Sequence, residues 1–508
     1  MQIDLNNLPS DTALLQRLVL DMTRVMTHRD EEINRLRQII KQLQRAQYGR
    51  RSERLDPDQL ALALEELDTD IAEVIESGPV PPVAERTPAQ RKPLPDHLIR
   101  KEVLLDIEEG GCSRCGGPLR EIGESVSEML DWVPATLRVI RIRRPKYACR
   151  QCETVAQASA PQRIITGGYA TPALIAQVLI SKYCDHLPLY RQSQMFARQG
   201  VKIERSTLAG WVGGACWWLD ALHDRLSTNI LASNHLYADD TPLPVLDPGR
   251  RRTKTGRLWV YARNERGWAG RDPPAAVYFY EPDRRAQRPK QHLKDYRGVL
   301  HVDGYIGFEQ LTRDGRIVLA ACWAHARRKF YEIAKADGSP IADEVVRRIA
   351  GLYALEAKIR GKTPEERLAV RQATARPLIM ELRQWLEAQL PRISRSGKLA
   401  EAIRYALIRW NGLSRFLEDG CVELDTNPVE RAIRPVALGR KNHLFAGSDR
   451  GARRWATVCS PVETTKLNKV EPYIWLTDVL QRMVDDHPVN RLDELPPWNW
   501  KAQNPVNN

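Results

Sequence analysis

From Leu15 the chain places apolar residues at alternating spacings of three and four: Leu15, Leu18, Met22 and Val25, then, past polar Arg29 and Glu32, Leu36, Ile39 and Leu43. This is a heptad seam between strongly charged faces, and it predicts a coiled coil over residues 1–55 rather than one amphipathic helix packed on its own domain. Ile33 and Ile40 allow a second register in the later half, so a stutter at the polar pair stays open. Residues 56–104 follow as an acidic helix and a linker, because the prolines of GPVPPVAERTPAQRKPLPDH forbid regular structure. Further on, Leu137, Val139, Ile140 and Ile142 lie in an alternating stretch that reads as a hairpin.

Residues 157–228 read as three short helices: TPALIAQVLISKYCDH, PLYRQSQMFARQG and RSTLAGWVGGACWWLDAL. Gly200 ends the second and Ser206 is placed to cap the third, whose exposed start would face a DNA groove in a helix-turn-helix. Packed core helices are the alternative reading. Beyond Asn234 the pattern changes to strands: HLYADDTPLPVL, RLWVYARN and AAVYFYEP, an amphipathic RPKQHLKDYRG, then VLHVDGYIGF, followed by the apolar run RIVLAACWAHARRKF. Three hairpin-linked strands, a helix and a further strand begin a ribonuclease-H-like α/β fold, expected over residues 229–450. A helical insertion at about 331–420 carries DEVVRRIAGLYALEAKI and RPLIMELRQWLEAQL, and residues 451–508 are expected as a helical tail. The chain is thus expected to be a multidomain α+β protein.

Charge narrows the choice of partner. The 77 Lys+Arg exceed the 64 Asp+Glu, and a net charge of +13 points to a polyanion, nucleic acid first, although a solvated basic surface gives the same balance. No apolar run approaches the roughly 18 residues of a membrane span, and MQIDLNNLPSD lacks a secretion signal, so a cytoplasmic protein is expected. Four of the nine cysteines form two Cys-x-x-Cys pairs and the rest are isolated, the usage of a reduced compartment with one metal site.

Two constellations carry chemistry. Cys112 and Cys115, then Cys149 and Cys152, with 33 residues between the pairs, suit a tetrahedral structural Zn²⁺ in a module spanning residues 105–156. The second constellation is acidic. Phosphodiester chemistry with Mg²⁺ (or Mn²⁺) requires carboxylates held by rigid elements around two ions. Asp303 ends the apolar run VLHV before Gly304, and Asp239 or its neighbour Asp240 stands on the first strand; alternation lets only one of those two face the pocket, and Asp239 is preferred. Glu430, one turn into a helix that Asp425 or Asn427 caps, is the third acid, with Glu463 next in line. Candidate phosphate contacts are Arg50 and Arg51, in a cluster around Gly49, and Arg431, Arg434, Arg440 and Lys441 beside the third acid.

With these residues assembled, the chain resembles the large transposase of the insertion-sequence-sixty-six family of bacterial mobile elements. The resemblance rests on YGRRSERL, the four-cysteine module, KYCDHLPLYRQSQMFARQGVKIERSTLAGWV, YADDTP, HVDGYIGF, CWAHARRKF, DTNPVERAIRPVALGRKNHLFAGSD and YIWLTDVLQRM, in this order. It implies a DDE transposase whose triad is Asp239, Asp303 and Glu430, acting on terminal inverted repeats and target DNA. It also implies two small accessory proteins of the same element. Pairing of two ends further implies at least a dimer, and the DNA substrate a nucleoid-associated location. Two positions depart from the family pattern: Asp240 replaces a glutamate, and Pro461 stands in Ser460-Pro461-Val462-Glu463-Thr464-Thr465 where Ser-Leu-Ile-Glu-Thr-Ala is usual, so a disturbed helix is expected there. A catalytically impaired, zinc-containing dimeric DNA-binding regulator and a nuclease on the same fold are the rival functions.

Overall fold

The computed structural model describes residues 94–96, 98–107, 114–115, 117–133, 136–247 and 252–503. The heptad segment, with Arg50 and Arg51, and Cys112 lie outside the described residues. The first sheet contains β1 (Arg100–Leu104), β2 (Leu119–Val133), β3 (Thr136–Cys149) and β4 (Val155–Gln157), in the order β1-β3-β2 with β4 also on β3. The alternating stretch noted above lies in the antiparallel β2–β3 hairpin. Leu137, Val139 and Ile142 are buried, whereas Arg141 and Arg143 reach Glu128 (3.1 Å) and Glu124 (2.8 Å) on the partner strand.

Three helices follow: α1 (Pro172–Tyr183), α2 (Leu189–Arg198) and α3 (Arg205–Leu231). Thr171 caps α1 by accepting the Leu174 N–H, and Gly200, at φ +81°, turns the chain after α2. The expected cap on α3 is not made: Ser206 lies inside the first turn and Glu204 is the N-cap residue, without a side-chain cap bond. Leu208, Trp211, Val212, Leu219, Leu226 and Ile230 of α3 are buried, so most of the helix serves the core while Glu204 and Ser206 at its start stay exposed.

The second sheet is built from β5 (His235–Val245), β6 (Lys254–Arg263), β7 (Ala275–Glu281), β8 (Gly298–Val302) and β9 (Ile317–Ala321), ordered β7-β6-β5-β8-β9. The β7–β6 and β6–β5 pairs are antiparallel, and β5–β8 and β8–β9 are parallel. A short helix, α4 (Gln287–His292), lies between β7 and β8 in the chain. After β9 come α5 (Trp323–Asp337), α6 (Pro340–Ile359), α7 (Pro364–Val370), a π-turn (Arg371–Ala375), α8 (Arg376–Gln389), α9 (Lys398–Ile408) and α10 (Trp410–Leu413). These helices share their own apolar cluster around Trp323, Phe330, Ile349, Leu382, Ile403 and Phe416.

The chain then returns to the main core with α11 (Asn427–His443), α12 (Asp449–Leu467), α13 (Pro472–Val484) and α14 (Pro497–Gln503). Helix α12 covers the outer edge of β7. Ser460 and Thr464 hydroxyls accept the Tyr278 and Ala276 N–H groups (3.0 and 3.1 Å), so the helix satisfies two amides of the edge and covers it against further pairing. Contrary to expectation, α12 runs unbroken through Pro461. An interior proline costs on the order of 3 kcal/mol, which burial of this face and the strand-edge bonds offset. Among the described residues no helix is long and apolar enough to cross a membrane.

His443 ends α11 buried beside Trp455, and burial pushes its imidazole down to about 3 from 6.5. The unfolded chain accepts a proton that the folded chain refuses, so this group's contribution is complete above pH 6.5 and is lost as pH falls toward 3, by about 1.4 kcal/mol per unit. Urea midpoints should therefore fall more steeply between pH 6.5 and 5 for the wild type than for His443→Asn; parallel pH profiles would contradict it.

Candidate active site

The parallel pairing of β5 with β8 aligns Tyr237 with His301 and Ala238 with Val302. Residues in parallel register point to the same face, so Asp239 on β5 and Asp303, one residue past β8, come side by side. Electrostatics agrees: burial, reinforced by the charge of Asp303, raises the Asp239 carboxyl to about 7. Asp303 is held by the Tyr305 amide, which donates to its Oδ1 (2.8 Å), and by Tyr405, whose hydroxyl donates to its carbonyl (2.8 Å). Gly304 is required here, because at φ +103° an added Cβ would stand 2.7 Å from Arg409 Nε and 2.8 Å from the Tyr405 hydroxyl.

Asp240 points the other way. Its side chain, 1% exposed, accepts from Arg257 Nη1 at 3.0 Å and Arg284 Nε at 2.8 Å. Burial pushes this carboxyl up against the pull of both guanidiniums. Arg284 reaches on to Asp303 Oδ2 at 3.8 Å and lies over the Tyr305 ring, 4.3 Å from its centroid, so it links the buried carboxylate to the open one.

Glu430 sits in the first turn of α11, one turn after Thr426, whose hydroxyl donates to Glu430 Oε1 (3.0 Å) and lies 3.3 Å from Cys322 Sγ. Contrary to expectation, neither Asp425 nor Asn427 takes the N-cap position, which falls to Thr426 without a side-chain cap bond; Asp425 accepts the Asn427 amide (3.1 Å). His325, in the first turn of α5, approaches the third acid: its Nδ1 lies 3.7 Å from Glu430 Oε1. That Nδ1 is buried without a hydrogen-bond partner. His325, Arg328, Lys329 and Glu332 form one face of α5 by helical spacing, and together with Arg284, Asp303, Tyr305 and Tyr405 they line a cleft of about 340 Å³.

The remaining candidates scatter. Arg431, Arg434 and Lys441 are exposed on α11, whereas Arg440 is half-buried and donates to the Pro242 carbonyl of β5. Glu463 is buried in α12 and paired with Lys466 at 2.8 Å, where it serves the core. In the first sheet, Cys115 Sγ lies 3.4 Å from both Cys149 and Cys152, an arrangement of soft donors that fits Zn²⁺.

Residues 167–454, which contain the second sheet, its carboxylates and the inserted helices, match the model of the "Transposase IS66 family". The chain belongs to this family. Other parts of the IS66 chain match the zinc-finger binding domain of IS66 transposase (109–153), the Transposase C of IS166 homeodomain (35–103) and the IS66 C-terminal element (460–498). Three relatives from Sinorhizobium fredii (strain NBRC 101917 / NGR234) are similar. Uncharacterized protein y4jD is 42% identical, with 99% of each chain covered. Uncharacterized protein y4qI is 40% identical over 93% of this chain and 90% of its own, and uncharacterized protein y4hP is 41% identical over 91% and 88%.

Reasoning from sequence assigned no role to His325, Arg284, Arg328 or Lys329 of this IS66 chain. His325 carried a usable signal, Cys-x-x-His at a strand-to-helix junction, but nothing in the residue order says that the junction faces Glu430.

Proposed function

We propose that this IS66-family protein cleaves DNA at the ends of an insertion sequence and joins the freed ends to target DNA, with Asp239, Asp303 and Glu430 as the catalytic carboxylates on a ribonuclease-H-like sheet. The observation that carries this reading is the placement of Asp239 on β5 beside Asp303, one residue past parallel-paired β8, where the charge of Asp303 adds to burial in raising the Asp239 carboxyl. Two acids held together against their own repulsion, with Glu430 as the third, make a set of carboxylate oxygens that suits Mg²⁺ or Mn²⁺. Such ions, when bound, activate the attacking oxygen and stabilise the leaving one.

The protein's own part is to hold and orient. Asp239 and Asp303 are fixed by adjacent strands, and the Thr426 hydroxyl aims Glu430. Arg284, Arg328 and Lys329 give the cleft a cationic wall for the DNA backbone. Arg431, Arg434 and Lys441 extend that charge along α11. We assign Cys112, Cys115, Cys149 and Cys152 to a structural zinc site, α1–α3 to DNA binding, and residues 1–55 to self-association.

A duplex carrying the element's terminal repeat, incubated with the purified protein and Mg²⁺ or Mn²⁺, tests this directly. Nicking at the repeat boundary followed by joined product is expected. Cutting without joining would instead identify a nuclease, and binding without cutting a regulator. His325→Ala should lower the nicking rate about 10–100-fold, as loss of a group that orients a metal-binding carboxylate does, with DNA affinity unchanged. An undiminished rate would remove His325 from the site.

A further inference from the structure

Three groups of Cys, His and acidic side chains among the described residues bring their donor atoms within 4.8 Å of one another. One is the cysteine group of the zinc-finger region, and one contains His325 and Glu430. The third, His235, Asp419 and Cys421, lies at the start of β5, four residues before Asp239 along the strand, and the transposase reading gives it no work. We propose that His235 Nε2, Asp419 Oδ2 and Cys421 Sγ bind a second zinc ion, with water as its fourth ligand.

Donor chemistry selects the ion. One imidazole, one carboxylate and one thiolate form a mixed borderline-soft set that suits tetrahedral Zn²⁺ better than Mg²⁺, which prefers hard oxygen donors. The spacing is close to what an ion needs: His235 Nε2 and Asp419 Oδ2 are 3.0 Å apart, and a tetrahedral zinc places nitrogen and oxygen ligands about 3.3 Å apart. All three residues are partly exposed, which leaves an entry path.

The ligands are also held in place by their surroundings. Asp419 Oδ1 accepts the Cys421 amide (2.8 Å), which leaves Oδ2 for the ion. Fully buried Arg371 donates through Nη1 to the carbonyls of Phe416 (3.1 Å), Asp419 (3.0 Å) and Gly420 (3.3 Å). Gly420 packs directly on the Pro364 carbonyl, so any side chain there would displace the loop. The His235 ring leans on Trp268, 5.6 Å between centroids.

The consequence is mechanical. His235 opens the strand that carries Asp239, while Asp419 and Cys421 lie where the inserted helices hand the chain on toward Glu430. A zinc ion would clip these two segments together, and on ligation the Cys421 thiol releases its proton to solvent.

Equilibrium dialysis of the full chain against Zn²⁺ alone, followed by elemental analysis, tests the site. Cys421→Ser should hold one zinc fewer per chain than the wild type, and zinc should raise its melting temperature by less. If Cys421→Ser also melts lower without metal, His235→Gln decides, since it must lose the same single equivalent. Cys149→Ser reports separately on the four-cysteine module, so failure of one site is not mistaken for failure of the other. Zinc content equal to the wild type in either Cys421→Ser or His235→Gln overturns the proposal.

Discussion

Asp303→Asn is expected to reduce metal-dependent DNA cleavage by on the order of 10³-fold or more while leaving binding to terminal-repeat DNA nearly intact. The amide keeps the shape of the carboxylate and its acceptor for the Tyr305 N–H, but it gives up the charge that a divalent cation requires. Binding is expected to rest on Lys and Arg contacts, of which the substitution adjoins Arg284, 3.8 Å from Asp303 Oδ2. Asp239→Asn and Glu430→Gln should fall to similar residual rates, and their combination with Asp303→Asn should add little, because the three act as one unit. Stability provides the control. Asp239 has a folded pKa of about 7 against 3.8, so the stability present below pH 4 is lost as pH rises through 7. Above pH 7, without metal, Asp239→Asn should therefore melt no lower than the wild type. Asp240→Asn should keep cleaving, since its carboxylate faces Arg257 and Arg284 instead. Near-normal cleavage by Asp303→Asn would overturn the acidic-triad assignment.

The largest effect on stability is expected at Arg371. Its guanidinium is 0% exposed and grips Glu356 with two bonds, Nε to Oε1 at 2.8 Å and Nη2 to Oε2 at 2.7 Å, while Nη1 serves the three carbonyls of the loop before Cys421. Arg371→Met leaves a buried carboxylate with one weaker partner, Arg367 at 3.3 Å, and three carbonyls without a donor. Breaking such a pair from one side costs about 3–5 kcal/mol. Removing both partners, as in Glu356→Leu with Arg371→Met, should recover much of that loss, because no charge is stranded and Arg367 keeps Glu423 at 2.8 Å. Denaturant midpoints measure both variants. A loss below about 1 kcal/mol for Arg371→Met would show that water, not the ion pair, satisfies this region.

Much of the site's local grammar is legible in the sequence. The alternation of a strand separates Asp239 from Asp240, and an acid before glycine at the end of an apolar run identifies the strand end at Asp303. Two Cys-x-x-Cys turns imply a shared ion. These signals are local: each depends on the backbone geometry of a few residues, which sequence encodes directly. Helix limits were less legible, because α3 extends to Leu231 on the strength of what it packs against, and Ser206 loses the cap position to Glu204. Pro461 misled for the same reason, since hydroxyl bonds to β7 from its neighbours sustain a helix that propensity alone disfavours.

Contacts between distant segments left no trace in the order of residues. His325 lies 105 positions before Glu430, and Arg284 joins Asp240 to Asp303 across three segments. Sequence by itself determined the strands, the hairpin, the cysteine pairs and which acids lie on or just past strands, because periodicity and turn chemistry act over neighbours. Tertiary structure alone decided which carboxylates repel, which arginines are buried and which imidazole meets Glu430, because charge and burial act through space rather than along the chain.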